Sequence, residues 1–366
     1  MRKLFYMRQI SKIWILLALI SISSCSGNKN NTAQDIAQKV SRAELSNDSC
    51  KQQENMTISI NIKEAITLND FNRPKYNITL DESAENIIGF PTNVVVRNDT
   101  IFAIDGYKSP GIYAYNKEGK QLFAYCSIGN GPEDIMSPKD LNVTETEISC
   151  FDRGSGDIVF FDKNGCFKNR IKTDFMAMGA IIDDKNCIWT DYSNQRPADG
   201  VAKISCRPDS IVNFAPAHLV PRHLEGFTVI TLQPLHRLPD GQITYLAELE
   251  PTVYNLNDSK ATVRYNLDFN GLWPSVEEIN KIKGSNWAIK LRDMPMQRLG
   301  MQECNRWLIV YFYYNDDLYV HIYDKLNQTG LTLTDKDKAY CIPMAVTDGE
   351  LFLYCNDDSF DVINLS

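Results

Sequence analysis

The stretch Ile101–Leu122, IFAIDGYKSPGIYAYNKEGKQL, decides how the rest of the chain is read. An apolar run ends in Asp105, and a loop of Gly, Ser and Pro follows. A second apolar run then ends in Asn116, before a Lys-x-Gly turn at Lys117–Gly119. The same order returns at Ile148–Lys168, ISCFDRGSGDIVFFDKNGCFK. There Asp152 closes the first run and Lys163–Gly165 makes the turn. Ile148 follows Ile101 by 47 residues, and Gly165 follows Gly119 by 46. Short apolar runs bounded by turn residues read as strands. Several strands per unit at a period of about 40–50 residues is the pattern of a β-propeller blade.

Working outward, six short polar turns mark the step from the first to the second strand of successive units. They are Asn98-Asp99, Glu145-Thr146, Asp183–Asn186, Pro239–Gly241, Glu303–Asn305 and Asp348-Gly349. Asn, Asp and Gly supply such turns because they tolerate positive φ. The run Trp307–Tyr314 is apolar throughout, as expected of a strand buried on both faces. The last unit offers only IPMAV, LFLYC and FDVINL before the chain ends. Its fourth strand is expected from the N-terminal side, either Thr57–Ile62 (TISINI) or Tyr76–Leu80 (YNITL). Sharing one sheet between the two ends closes the ring and removes two open edges. The predicted fold is therefore all-β, a six-bladed propeller over residues 56–366. A seventh blade assembled from Met56–Leu80 is the alternative. Two segments exceed the pattern, Ala215–Val229 and Gly271–Met301. The second contains PSVEEINKIKG, a short helix with Pro274 in its first turn and Gly284 beyond its end.

The first residues are an address rather than part of the fold. Arg2, Lys3, Arg8 and Lys12 precede the apolar run Ile13–Ile22, which is too short to span a bilayer and suits a signal-peptide core. Met7 is an alternative start. The following Ile22-Ser23-Ser24-Cys25 resembles the bacterial lipobox, an aliphatic residue and two small residues before a Cys. That resemblance implies cleavage after residue 24 and lipidation of Cys25; a plain secretory signal cut nearby is the other reading. Several acyl chains on one residue would anchor the protein stably. Residues 25–55 are rich in Asn, Gln, Ser and Lys, too polar to bury a core, and read as a flexible tether.

The 366 residues carry a net charge of −8. With no basic stripe outside the first twelve residues, nucleic acid is not an expected partner, because its binding needs clustered Lys and Arg. Ten Cys are scattered without a C-x-x-C, so a zinc ribbon or dithiol motif is absent. Most sit inside predicted strands and serve as small hydrophobes. Cys150 and Cys166 share one blade and form the pair considered for a bridge.

The unit pattern of strand, Asp, Gly/Ser loop, strand, Asp/Asn-x-x-Gly is similar to the NHL repeat. The linker Ile128-Gly129-Asn130-Gly131-Pro132-Glu133-Asp134-Ile135, leading to Pro138, resembles the G-x-G-P-G-E-F-x-x-P stretch of six-bladed NHL-like or TolB-like propeller lipoproteins of Bacteroidota. Glu133 replaces a Gly of that pattern. The resemblance covers residues 91–173 well and fades after 200. It implies an exported six-bladed propeller without implying a reaction. From the residues themselves, Gly129 and Gly131 permit a tight crossover between blades, and Asp134 accepts hydrogen bonds from loop N–H groups.

No catalytic constellation stands out, so no catalytic, metal or ligand-binding residue is assigned. Asp105, Asp152 and Asp191 end equivalent strands; capping their own loops is favoured over ringing the channel around a cation. The acidic pairs Glu133-Asp134, Asp183-Asp184, Glu277-Glu278, Asp316-Asp317 and Asp357-Asp358 fall mostly in turns. His218, His223 and His236 lie in or near the long insertion and read as a polar rim, with His321 apart. Tyr311, Tyr313, Tyr314, Tyr319 and Tyr323 read chiefly as core rather than as a stacking surface. The expected function is a lipid-anchored propeller of the cell envelope, in the outer membrane rather than the inner. It would bind a ligand or an envelope protein or glycan. A hydrolase or lyase acting on a carbohydrate or lactone, with Ca²⁺ in the channel, is the alternative; no other cofactor is expected.

Overall fold

A computed structural model describes residues 55–173, 179–185, 187–191, 201–205, 211–213, 233–246, 251–257, 261–281, 297–335, 341–355 and 359–366. Cys25, residues 1–54, His218, His223, Gly284 and Asp357-Asp358 lie outside them.

Three short strands lead in: β1 (Met56–Ser59), β2 (Ile66–Thr67) and β3 (Lys75–Thr79). Blade 1 is β4 (Asn93–Arg97), β5 (Thr100–Asp105), β6 (Gly111–Asn116) and β7 (Gln121–Tyr125). Blade 2 is β8 (Pro138–Val143), β9 (Ile148–Asp152), β10 (Asp157–Phe161) and β11 (Phe167–Ile171). Blade 3 is β12 (Gly179–Ile182), β13 (Cys187–Asp191), β14 (Val201–Ser205) and β15 (Ile211–Asn213). Blade 4 is β16 (Leu235–Arg237), β17 (Ile243–Leu246), β18 (Thr252–Leu256) and β19 (Ala261–Asp268). A six-residue helix, α1 (Val276–Lys281), precedes blade 5, which is β20 (Gln297–Glu303), β21 (Trp307–Tyr314), β22 (Asp317–Asp324) and β23 (Thr329–Asp335). Blade 6 holds β24 (Ile342–Val346), β25 (Glu350–Cys355) and β26 (Ser359–Asn364).

Within each blade the strands are antiparallel neighbours in chain order. The predicted turns supply the geometry: Asn98 and Asp99 have φ of 48° and 57°, and Asn315 and Asp316 have 53° and 67°. Two consecutive positive-φ residues make the type I′ hairpin whose twist matches that of its strands.

Among the described residues six apolar clusters hold the ring, each joining one blade to the next. Strand alternation feeds them. Ile101 and Ala103 of β5 pack towards blade 6, while Phe102 and Ile104 pack towards blade 2. Likewise Leu308, Val310 and Phe312 face blade 4, while Ile309, Tyr311 and Tyr313 face blade 6. A side-chain period of two gives each strand two buried faces, which is why Trp307–Tyr314 has no polar position. Tyr311, Tyr313, Tyr319 and Tyr323 are buried, as core residues, and Tyr314 is half-buried.

The lead-in differs from expectation in one respect. Tyr76–Leu80 does supply the missing strand: β3 pairs antiparallel with β26, Phe360 opposite Ile78. Thr57–Ile62 does not; β1 instead adds a fifth, parallel strand to blade 4 along β19, Thr57 opposite Asn266. β2 does the same on blade 5 along β23. No seventh blade forms from Met56–Leu80. The segment is a belt that covers the outer edges of blades 4 and 5 before closing blade 6, leaving fewer unpaired strand edges.

The one pair considered for a bridge does not form one. Cys150 is buried and free, and Cys166 is exposed and free. Among the described residues a bridge joins Cys341, just before β24, to Cys355 at the end of β25. Pro274 precedes α1 rather than lying in its first turn; Ser275 is the cap. Its Oγ accepts from Glu278 N–H at 3.2 Å, and Glu278 Oε2 accepts from Ser275 N–H at 2.7 Å, a reciprocal capping box.

Candidate functional site

The strand-end aspartates resolve first. The Asp105 carboxylate accepts five backbone N–H bonds at 2.8–3.0 Å, from Gly89, Phe90, Tyr107, Lys108 and Ser109. Asp152 accepts from the N–H groups of Met136, Ser137 and Gly154 and from Ser155 Oγ. Both are fully buried. Each caps its own loop and also fastens the crossover that delivers the neighbouring inner strand. Asp191 ends the equivalent strand β13, and its side chain lies outside the described residues. In the linker, Asp134 accepts from Gly131 N–H at 2.8 Å and from Ser127 Oγ at 2.7 Å. A Cβ on Gly129 would lie 2.4 Å from Asp134 Oδ2, so close approach is what demands glycine there.

The acidic pairs are turn and cap residues. Asp183 Oδ1 accepts from Lys185 and Cys187 N–H, and its Oδ2 accepts from Trp189 Nε1 at 2.9 Å. Glu277 pairs with Lys281 one helical turn on, at 2.7 Å.

A different set of residues meets on the axis. The inner strands β4, β8, β12, β16, β20 and β24 surround a cavity of about 750 Å³, within the usual range for small-molecule sites. It opens on the face that carries the turns between first and second strands. Its rim is tied blade to blade. Arg97 pairs with Glu145 and donates to the Val143 carbonyl, linking blades 1 and 2. Arg237 pairs with Asp184 and donates to the Ile182 carbonyl, linking blades 4 and 3. Asn305 Nδ2 donates to Asp348 Oδ2 at 3.2 Å, linking blades 5 and 6.

The wall below the rim is buried and polar: Asn93, Asp140, Asn142, Gln233, Gln302 and Glu303. Gln302 Nε2 donates to Gln233 Oε1 at 2.9 Å, and Asn142 Nδ2 donates to Ser149 Oγ at 3.4 Å. Asp140 sits on a β-bulge, where the pairing of β8 with β9 slips between Lys139 and Asn142. Its φ is +51°, a left-handed conformation that Asp tolerates better than most residues. Oδ2 accepts from Ala180 N–H of blade 3 at 2.8 Å, while Oδ1 has no partner. A Cβ on Gly179 would lie 2.3 Å from that Oδ2, so a larger residue there would force the Asp140 carboxyl to shift off the Ala180 N–H. Burial pushes the Asp140 carboxyl up, against the opposing pull of Lys139 and of the Ala180 N–H.

His236, on β16, is half-buried, with an Nε2 that touches neither solvent nor a protein partner. Burial pulls its pKa down to about 4, so the ring is neutral near pH 7. The sequence reading placed it on an insertion rim; it stands on an inner strand because the insertion ends before β16. His321 is buried in blade 5, its Nδ1 3.0 Å from Thr332 Oγ1.

Glu303 reaches between blades 4 and 5. Its Oε1 takes Arg264 Nη2 at 2.6 Å, Lys325 Nζ at 2.8 Å and Tyr265 Oη at 2.8 Å. Burial works to raise its pKa, and the two cations overcome this, holding the carboxyl below its ordinary range. Oε2 has no partner.

Sequence reasoning missed the channel wall. Its one signal is positional: Asn93 and Asp140 each stand five residues before their blade's turn, at Asn98 and Glu145. Aligning the first strands on their turns would have flagged polar residues where apolar ones are expected.

Residues 47–347 match the family model DUF5128, described as a 6-bladed beta-propeller. No curated protein matches the chain. Among solved structures, the chain is similar to a candidate exported protein of Bacteroides fragilis. The TM-score is 0.67 at 14% identity, over 81% of this chain and 88% of that one. It is also similar to a member of the DUF4221 family from Bacteroides vulgatus. There the TM-score is 0.53 at 10% identity, over 80% of this chain and 96% of that one. At such identities the likeness speaks for the fold alone. The family match spans most of the ring described above, and the chain belongs to this family of six-bladed β-propellers.

Proposed function

We propose that the protein is an exported, lipid-anchored propeller that binds a small ligand in its central channel. The observation that carries this reading is the 750 Å³ cavity on the axis and the polar side chains of Asn93, Asn142, Gln233 and Gln302 among the residues that line it. A concave site lined by apolar side chains with a few convergent polar groups is the usual form of a small-molecule site. Export is supported by the N-terminal pattern through Cys25 and by the Cys341–Cys355 bridge, which suits an oxidising compartment. The cell envelope, with the outer membrane favoured, is the expected location.

The test is a thermal-shift screen of polar metabolites on the wild-type chain and on Asn142→Phe, which fills the channel. Ligands that stabilise the wild type should lose their effect on the filled variant. Stabilisation that survives filling would refute the channel as the site. The second reading, a hydrolase or lyase working through a divalent cation, draws on Asp140, His236 and Glu303 lining one cavity. It is the weaker one, because these three do not bring ligand atoms within 4.8 Å of one another. Among the described residues the group that does is Cys341, Cys355 and Asp361, and its sulfurs are bridged.

A further inference from the structure

Four carboxamides line the cavity: Asn93, Asn142, Gln233 and Gln302. Their places around the ring are opposed. Asn93 and Asn142 belong to blades 1 and 2, which stand across the axis from blades 4 and 5. Gln233 leads into blade 4, and Gln302 is on the inner strand of blade 5. Gln302 Nε2 donates to Gln233 Oε1 at 2.9 Å, which joins these two into one unit. On the opposite side Asn142 Nδ2 donates to Ser149 Oγ. Asn93 is only 8% exposed, yet among the described residues its carboxamide bonds no protein group. Neither of its polar atoms, nor Asn142 Oδ1 or Gln233 Nε2, is among the buried atoms shut away without a partner, so each opens on the cavity. Two acceptors, Asn93 Oδ1 and Asn142 Oδ1, and two NH₂ groups, of Asn93 and Gln233, are thus left for a ligand.

Among the described residues no unspent charge accompanies them on the wall. Arg264 and Lys325 hold Glu303, and burial drives the Asp140 carboxyl towards its neutral form. At the rim Arg97 is spent on Glu145 and Arg237 on Asp184, while Asp240 and Asp348 stand on the turns. An anion would have to pass these rim carboxylates to reach a wall with no cation to offer. A cation would leave water for a wall with no carboxylate open to it. The described lining contains no Phe, Tyr or Trp, so a flat aromatic ligand finds no stacking partner. Its apolar part is aliphatic, from Val94, Leu141, Ile181, Leu235 and Ala345.

We propose that the channel takes a neutral, polyhydroxylated molecule of one or two sugar rings, its hydroxyls held by Asn93 and Asn142 on one side and by Gln233 on the other. This rests on the channel reading above and adds the class of ligand. A carboxamide presents an acceptor and a donor side by side, and each hydroxyl of a neighbouring pair both gives and takes a hydrogen bond, so the two match without any charge. The aliphatic lining suits the C–H faces of such a ring. Asn93 carries the argument furthest, because a buried carboxamide with no bond in the fold is satisfied only by what enters the cavity.

Calorimetric titration of the detergent-extracted full chain tests this. The neutral probes are glucose, galactose, mannose, myo-inositol and maltose; glucosamine and glucuronate carry the two charges on the same frame, and cyclohexanol keeps a single hydroxyl. At least one neutral polyol should bind at least about tenfold more tightly than the charged probes and cyclohexanol. Asn93→Leu, of similar shape without the polar atoms, should weaken that binding at least about tenfold and leave the melting transition in place, because Asn93 makes no side-chain bond within the fold. Asn93→Ala repeats the measurement with a smaller side chain. Binding of no neutral polyol, a charged probe bound as tightly, or binding unchanged by both Asn93 variants would overturn the proposal. Charged probes that bind and are lost in Asn142→Phe would sink the neutral ligand while leaving the channel standing. Binding that persists in Asn142→Phe would remove the channel itself.

Discussion

The buried charge cluster between blades 4 and 5 makes a quantitative demand on the fold. Glu303 has a fully buried side chain, and Arg264 and Lys325 are only 11% and 10% exposed. Two cations thus depend on one carboxylate, with Arg264 Nη1 also donating to Asn255 Oδ1 at 3.1 Å. Replacing Glu303 with Gln keeps the shape and an acceptor oxygen but strands both cations out of water. Removing one member of a buried ion pair costs about 3–5 kcal/mol, mostly because the remaining charge is uncompensated. Glu303→Gln should therefore lose about that much in urea unfolding at neutral pH. Replacing the cations as well, in Glu303→Gln/Arg264→Met/Lys325→Met, should recover a large part of the loss, since no buried charge then remains. The pH dependence has a fixed sign. The folded-state pKa of Glu303 lies below its ordinary value of 4.5. Its contribution is complete above that value and disappears as the pH falls through the folded-state pKa. The gap between wild type and Glu303→Gln should be constant around pH 6–8 and narrow in acid. A loss under about 1 kcal/mol at neutral pH, the range of exposed ion pairs, would refute the reasoning.

Gly119 and Gly271 share a φ of +80°, but a Cβ on Gly119 would lie 1.9 Å from the Thr79 carbonyl of β3, while one on Gly271 would meet nothing. Gly271→Ala should cost about 1–2 kcal/mol from backbone strain alone, and Gly119→Ala clearly more, read as the difference between their unfolding midpoints. Replacing Cys341 and Cys355 together with Ser should destabilise by about 3 kcal/mol, the chain-entropy expectation for a loop closed over 14 residues. An unchanged melt would mean the pair is not bridged in the cell. Cys25→Ser should release the protein from membranes into the soluble fraction on fractionation; retention in the membrane pellet would refute the lipid anchor.

Repetition of Ile101–Leu122 at Ile148–Lys168 made the blades legible, because each repeat writes its own hairpins into local residues. The turns at Asn98-Asp99 and Asp348-Gly349 and the doubly apolar Trp307–Tyr314 were readable for the same reason. So were the glycines beside Asp134, since a tight crossover depends on nearby residues. The capping of Asp105 and Asp152 followed from their position at strand ends ahead of loops.

The amino-acid order by itself determined the blade repeat and where its hairpins turn, since alternation and turn chemistry act over a few residues, while the choice between six and seven sheets waited on where β1 and β2 pair. The tertiary structure alone decided which N-terminal strand closes blade 6, that β1 and β2 run as a belt on blades 4 and 5, and that Cys341 meets Cys355. It alone also brought Asn93, Asp140, Gln233, Gln302 and Glu303 to one axis. These residues are separated by up to 210 positions in sequence. Their meeting is set by the closure of the ring, a property of how six sheets pack and not of any segment within them.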